Sequence, residues 1–136
     1  MKFYLASGFQ NKKAVNYVSG KLIEAGCVHT YDWTKNDRAM TLEELKVIGE
    51  AEKKAILESD VVVILLPGGK GSHIELGIAL GRGKKIFLYS ADEKVNDFDT
   101  TSTFYHLPEV EQVIGTLDEL VERVCGFLTG YSRLHF

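Results

Sequence analysis

The chain has 136 residues, of which 45% are hydrophobic and 26% are charged, and its formal net charge is -3 at pH 7. This length suits a single hydrophobic core, so we expect one domain spanning residues 1–136. The slightly acidic balance excludes a general affinity for nucleic acid or acidic membranes, because such binding needs a concentrated basic surface.

The composition also indicates the surroundings of the protein. The N-terminal apolar run is too short for a signal peptide, and no stretch approaches bilayer-spanning length, so we expect a cytoplasmic location. Cys27 and Cys125 lack metal-ligand spacing, and we expect both to be small buried hydrophobes. Nothing in the sequence calls for a metal or another cofactor.

Apolar runs typical of strands alternate with segments of helical periodicity along the whole chain. The predicted strands are residues 2–6, 27–31, 60–66, 85–89 and 110–114. The predicted helices are residues 11–25, 41–58, 72–81 and 116–128. Residues 91–108 form a long polar connection, and connections of that length are usually functional or flexible.

This alternation predicts a parallel sheet with right-handed crossovers. The expected fold is a doubly wound α/β sandwich of about five strands in the flavodoxin-like order. Ligands of such sheets bind at the carboxyl ends of the strands. Three loops should therefore meet at one crevice: residues 7–11, 32–34 and 67–72.

The segment PGGKGSHIE at residues 67–75 carries the sharpest chemical signal. Glycines such as Gly69 and Gly71 let backbone N–H groups approach a ligand, and a helix predicted to start at Ser72 adds partial positive charge. Glu75 follows one turn later and points back towards the strand ends. A carboxylate there could attack the anomeric carbon of a bound sugar, as in retaining glycosidases.

A purely structural interpretation competes with this one. Ser72 and Glu75 have the spacing of a capping box, in which Ser72 caps the helix, and the sequence repeats that spacing twice elsewhere. The other two pairs are Thr41 with Glu44 and Thr116 with Glu119. What distinguishes the Ser72 pair is its place after a glycine-rich turn at the end of the most central strand. His73 is expected to be a surface or packing residue.

Two stretches, KFYLASGF at residues 2–9 and SDVVVILLPGGKGSHIELGIALGRGKKI at residues 59–86, resemble the nucleoside 2-deoxyribosyltransferases and related nucleoside hydrolases. The resemblance implies that Glu75 is the nucleophile of a covalent deoxyribosyl intermediate. It implies that Tyr4 holds the carboxylate of Glu75 by a hydrogen bond. It also assigns Gly8 and Phe9 to the loop that packs against the base. One departure is Gly69, where family members often carry a carboxylate or serine.

The departing base needs a proton, so an acid should lie nearby. Asp32 follows the second strand beside Trp33, whose ring could stack on a base, and we expect Asp32 to be that acid. Glu52 is the nearest match to a family carboxylate and is the competing candidate. Asp60 lies at the wrong end of the sheet. The structural alternative makes Asp32 a turn residue and Trp33 a core aromatic.

The resemblance also implies a homo-oligomer, at least a dimer, with active sites shared between subunits. By position, the loop lent to a neighbour is residues 102–105, which includes Thr103 and Tyr105. An exposed apolar pair, Phe104 and Tyr105, in an otherwise polar loop fits such a contact. The aromatic residues of segment 131–136 are expected to serve similarly.

The sequence is also compatible with two other functions. The glycine-rich string also resembles the PGGxGTxxE motif of phosphoribohydrolases, which release a base from a nucleoside 5′-monophosphate. Alternatively, the fold could serve a non-catalytic nucleotide sensor. In every case the expected partners are a nucleoside or nucleoside monophosphate and, for an enzyme, a free nucleobase.

Overall fold

The computed structural model describes the backbone of residues 1–134 and the side chains of residues 1–128. The intersubunit contact expected of segment 131–136 therefore lies outside the described residues.

Five parallel strands and four α-helices alternate along the described part of the chain. The strands are β1 (Lys2–Ser7), β2 (Val28–His29), β3 (Val61–Leu65), β4 (Lys85–Ser90) and β5 (Val110–Ile114). The helices are α1 (Lys12–Glu24), α2 (Leu42–Glu58), α3 (Lys70–Gly81) and α4 (Leu117–Leu134). The sheet order is β2-β1-β3-β4-β5, which confirms the predicted doubly wound α/β fold.

The strand β3 is the centre of the sheet. It pairs in parallel with β1 on one side and with β4 on the other, and all five of its residues are buried. Its continuous β-branched and aliphatic sequence is typical of a strand covered on both faces. Because the chain moves from β1 outwards to β2 and then returns to β3, a crevice opens between the carboxyl ends of β1 and β3.

Three predicted elements differ most from the observed ones, and one of them is the fourth helix, which continues to Leu134 instead of ending at residue 128. The second strand has two residues instead of five, and it lies at the edge of the sheet with Val28 more than half exposed. The third helix begins at Lys70, two residues earlier than predicted, because Gly69 occupies the position before its first turn. The long connection contains two 3₁₀ turns, Glu93–Asn96 and Thr103–His106.

Both cysteines are only partly buried, in contrast to the expectation, and each packs against the core without a disulfide. Cys27 precedes the edge strand β2, where the sheet covers one side only. None of the helices described is both long and apolar enough to cross a membrane.

Candidate active site

Three polar side chains from three elements meet below the crevice: Tyr4 of β1, Glu52 of α2 and Glu75 of α3. The Tyr4 hydroxyl donates a short hydrogen bond to Oε2 of Glu75 and lies 3.3 Å from Oε2 of Glu52. Tyr4 is fully buried and Glu75 is 8% exposed. Because α2 and α3 pack against β1 and against each other, both carboxyls reach the same tyrosine.

The buried Glu75 and the partly buried Glu52 are both weaker acids than an ordinary glutamate. Burial raises the pKa of Glu75 to about 8; the hydrogen bond from Tyr4 opposes this shift, and the nearby charge of Glu52 adds to it. Burial also raises the pKa of Glu52, against the hydrogen bonds that it makes. Burial, reinforced by the two carboxylates, raises the pKa of Tyr4 far above its ordinary value, so Tyr4 stays a donor. The carboxyl pair therefore retains a proton at neutral pH.

A cavity of about 200 Å³ opens beside this cluster. Its walls come from the three loops that were predicted to meet and from the two carboxyls: Ser7, Gly8, Phe9, Trp33, Glu52, Gly69, Gly71, Ser72 and Glu75. A neighbouring cavity of about 530 Å³ shares the walls formed by Phe9, Trp33 and Glu52. The two carboxyls thus face a small chamber that adjoins a larger one.

Two aromatic rings form the boundary between these chambers. Trp33 is buried, and its Nε1 donates to the backbone oxygen of Leu5 at 2.7 Å, which fixes the indole. The ring centroid of Phe9 lies 6.3 Å from that of Trp33, and Lys12 Nζ lies 4.0 Å from the Phe9 centroid. Phe9 is 60% exposed, so one face of this pair is open to a ligand. Trp33 combines both sequence-based interpretations, since it is a core residue and a cavity wall.

The glycine-rich turn holds its shape through Ser72. Its Oγ accepts a hydrogen bond from Gly69 N at 2.7 Å and lies 3.0 Å from Gly69 O. A Cβ on Gly68 would lie 2.4 Å from this Oγ, so Ser72 would have to rotate away and lose its hydrogen bonds to Gly69. The predicted capping box between Ser72 and Glu75 is therefore wrong: the helix starts earlier, Ser72 bonds back to Gly69, and Glu75 turns to Tyr4.

Asp32 does not line the small cavity. Its carboxylate accepts hydrogen bonds from Thr34 N at 3.0 Å and Thr34 Oγ1 at 2.5 Å, as a residue that caps a local turn does. The structure brings Glu52, and not Asp32, into contact with the Tyr4–Glu75 pair.

The loop expected to reach a neighbouring subunit behaves differently at its two aromatic residues. Phe104 is 57% exposed, but Tyr105 is buried, so the expected exposed pair is wrong for Tyr105. The Tyr105 hydroxyl lies 2.5 Å from Nε2 of His73, whose Nδ1 lies 2.7 Å from Gly69 O. His73 therefore packs the loop against the glycine-rich turn. Thr103 is exposed and lines neither chamber.

Sequence reasoning missed several residues that line the chambers. Ser7 follows β1 directly, and its Oγ donates to Leu65 O at 2.8 Å, so its position at a strand end could have signalled it. Asp37 and Arg38 lie in an irregular loop that carries no periodic signal, and they line the larger chamber. No group of three His, Cys, Asp or Glu in the described residues is arranged to hold a metal ion.

Comparison with known proteins agrees with this architecture. Two solved structures each cover 91% of the chain. The CMP N-glycosidase BcmB of Clostridium botulinum is 21% identical, is covered over 98% of its length and gives a TM-score of 0.62. A conserved protein from Enterococcus faecalis V583 is 17% identical, is covered over 96% of its length and gives a TM-score of 0.59. These values establish a shared fold. No curated protein matches significantly. The sequence profile of nucleoside 2-deoxyribosyltransferase matches residues 3–115. The chain therefore belongs to the nucleoside 2-deoxyribosyltransferase family.

Proposed function

We propose that this protein breaks the N-glycosidic bond of a nucleoside and transfers its 2-deoxyribosyl or ribosyl group to a second base through a covalent intermediate on Glu75. The observation that carries the proposal is the buried Glu75 carboxyl, held by Tyr4 at the edge of a cavity with an aromatic wall. Family membership supports this class of chemistry. The fold shared with a CMP N-glycosidase is consistent with it.

The reaction needs two displacements at C1′ of the sugar. In the first, an oxygen of ionised Glu75 bonds to C1′ while the C1′–N bond breaks, and the bonding pair stays on the base nitrogen, which receives a proton. In the second, a nitrogen of the acceptor base attacks C1′, and the ester bond breaks with its electron pair returning to the carboxylate. The acceptor nitrogen then gives its proton to the conjugate base of the acid.

We propose Glu52 as the acid, in place of Asp32. Glu52 lines the cavity, lies within reach of Tyr4, and has a pKa raised by burial, which favours the protonated form. Because burial raises the pKa of Glu75 to about 8, the reactive arrangement is the minor one, in which the shared proton has moved to Glu52 and the charge lies on Glu75. Tyr4 donates to the Glu75 carboxylate and keeps it oriented.

The acid assignment can be tested with two substrates, one an ordinary purine nucleoside and one whose leaving base needs no proton. Glu52→Gln should slow the first far more than the second. Asp32→Asn is the matched control, since it also neutralises one acid near Trp33, and it should leave the ratio of the two rates unchanged. If Asp32→Asn changes the ratio and Glu52→Gln does not, Asp32 is the acid.

The overall function can be tested by chromatography of a panel of nucleosides and nucleoside monophosphates, each with and without a second free base. A transferase should form the exchanged nucleoside only when the second base is present. Release of base without exchange indicates a hydrolase. A protein that binds panel members and converts none is a sensor, and that result would refute the proposed reaction.

A second candidate is hydrolysis of a nucleoside 5′-monophosphate, with water as the acceptor. The observation favouring it is the start of α3, where Gly69, Gly71 and Ser72 line the small cavity and Lys70 stands beside them. Backbone N–H groups at a helix start suit a phosphate. In this case monophosphates should be cleaved faster than the parent nucleosides, without any acceptor base.

We also propose that the protein forms a homo-oligomer with shared active sites. Phe104 and Ile74 are both more than half exposed, and they line one groove with Leu76 and Leu80. A second subunit covering this groove would bring residues of the 102–105 loop near another copy's glycine-rich turn. Light scattering that finds only monomer at micromolar concentration would contradict the proposal.

A further inference from the structure

Two exposed charged side chains line the larger chamber. Asp37 and Arg38 line its wall, and neither side chain makes a hydrogen bond or an ion pair with any other described residue. The remaining walls are mostly apolar or aromatic and include Phe9, Trp33 and Leu45. Arg38 is exposed and also borders a neighbouring cavity of about 400 Å³, so its guanidinium is free to bind a ligand at the wall of a chamber whose other walls are mostly apolar or aromatic.

The larger chamber lies beside the cavity that contains Glu75, where the base of a nucleoside could enter. The chamber shares Phe9, Trp33 and Glu52 with the small cavity that contains Glu75. A sugar placed with its C1′ at Glu75 can direct its base between these shared walls. The inference rests on the proposed function, since it assumes that a nucleoside binds with its sugar at Glu75.

We propose that Arg38 determines base specificity by donating two hydrogen bonds to a base edge that carries two adjacent acceptors. A guanidinium presents parallel N–H donors in a planar fork, and a base edge of this type matches them. The 6-oxopurines offer N7 with O6, and cytosine offers O2 with N3. Adenine places an amino donor beside N7, and uracil places an N–H beside each carbonyl, so both mismatch the fork.

The test compares two substrate pairs, deoxyinosine with deoxyadenosine and deoxycytidine with deoxyuridine, as nucleosides or as monophosphates according to which the enzyme accepts. The kcat/KM ratio within each pair is measured for the wild type and for Arg38→Ala. The change in this ratio on mutation cancels the different intrinsic leaving abilities of the bases. We expect Arg38→Ala to lower both ratios by about tenfold, the discrimination typical of a bidentate contact.

Two further variants separate the fork from its charge. Arg38→Lys keeps the positive charge without the planar fork, and it should lower the ratios nearly as much as Arg38→Ala. Lys35→Ala removes one positive charge from the same loop, outside the chamber, and should leave both ratios unchanged. Ratios that stay constant in Arg38→Ala while the wild type turns over normally would overturn the proposal.

A binding measurement distinguishes failure of this inference from failure of the proposed reaction. Calorimetric titration with free hypoxanthine and free adenine reports the base preference without any turnover. If the wild type converts no substrate yet prefers hypoxanthine, and Arg38→Ala loses that preference, the inference stands and the proposed reaction fails. Equal affinity of the wild type for the two bases would overturn the inference.

Discussion

Three helix starts in this chain have the same Ser/Thr-x-x-Glu spacing, yet the structure uses them differently. At α2, Glu44 N donates to Thr41 Oγ1 at 3.1 Å, and at α4, Glu119 N donates to Thr116 Oγ1 at the same distance. At α3, Gly69 takes the cap position and Glu75 is left free to reach Tyr4. An upstream glycine thus converts a residue with the spacing of a cap into a buried carboxyl available for chemistry.

The largest expected effect is the loss of turnover when Glu75 is replaced, compared with replacement of the exposed Glu119. Glu75→Gln should lower turnover by about a thousandfold or more, because an amide cannot act as the carboxylate nucleophile. Glu119→Gln, at the corresponding position of α4, should leave turnover within about twofold, as a surface change far from the site. Steady-state rates on the best substrate of the panel measure both, and a tenth of wild-type rate in Glu75→Gln would contradict the assignment.

Glu75→Gln should lower turnover but raise the free energy of unfolding at alkaline pH, and Glu119→Gln should do neither. The folded-state pKa of Glu75 is raised to about 8, so the folded protein holds the Glu75 proton more tightly than the unfolded chain does. The stability that this proton provides is present at acidic pH and is lost as pH rises from the unfolded pKa to about 8. Glu75→Gln should remove this loss and stabilise the protein by about 2 kcal/mol at pH 8 relative to wild type.

Urea unfolding of both proteins at pH 5 and pH 8 checks this expectation. The difference between wild type and Glu75→Gln should be larger at pH 8, and Glu119→Gln should lack such a pH-dependent difference. A Glu75→Gln protein that is less stable than wild type at pH 8 would show that the carboxyl is not held at an energetic cost.

Tyr4→Phe tests the contact that distinguishes the α3 start. It removes the hydroxyl donor from both carboxyls and keeps the ring, so kcat should fall about tenfold. Because the hydrogen bond from Tyr4 lowers the pKa of Glu75, the ionisation limbs of the pH profile should move to higher pH. Tyr89→Phe is the control. The Tyr89 hydroxyl donates to Gly115 O at 2.7 Å and lies apart from both carboxyls. Unshifted limbs in Tyr4→Phe would argue against the contact.

The smallest effects concern the cap hydroxyls. Ser72→Ala removes the two hydrogen bonds between Ser72 Oγ and Gly69, and Thr116→Ala removes the one from Glu119 N. Each should cost about 1 kcal/mol of stability. Only Ser72→Ala should also lower kcat/KM, by a few-fold, because Ser72 shapes the turn that lines the cavity. Equal kcat/KM in the two variants would mean that the turn does not depend on this hydroxyl.

The sequence predicted the sheet and the three loops of the crevice because these follow from local periodicity and from the rules of parallel sheets. It did not predict that α3 starts at Lys70, because Gly69, which takes the cap position, has no side chain that could accept a capping hydrogen bond. Asp32 was expected to face the crevice because it follows a strand, but its carboxylate bonds to Thr34 and lines neither chamber. The burial of Tyr105 depends on His73, which is 32 positions away and invisible to local patterns.

Mass spectrometry of the enzyme, rapidly quenched with substrate in the absence of an acceptor base, tests the covalent intermediate on Glu75 most directly. A covalent intermediate should add the mass of one glycosyl group, located by peptide mapping at Glu75, and Glu75→Gln should lack this adduct. An adduct on another residue, or complete turnover by Glu75→Gln without an adduct, would contradict it.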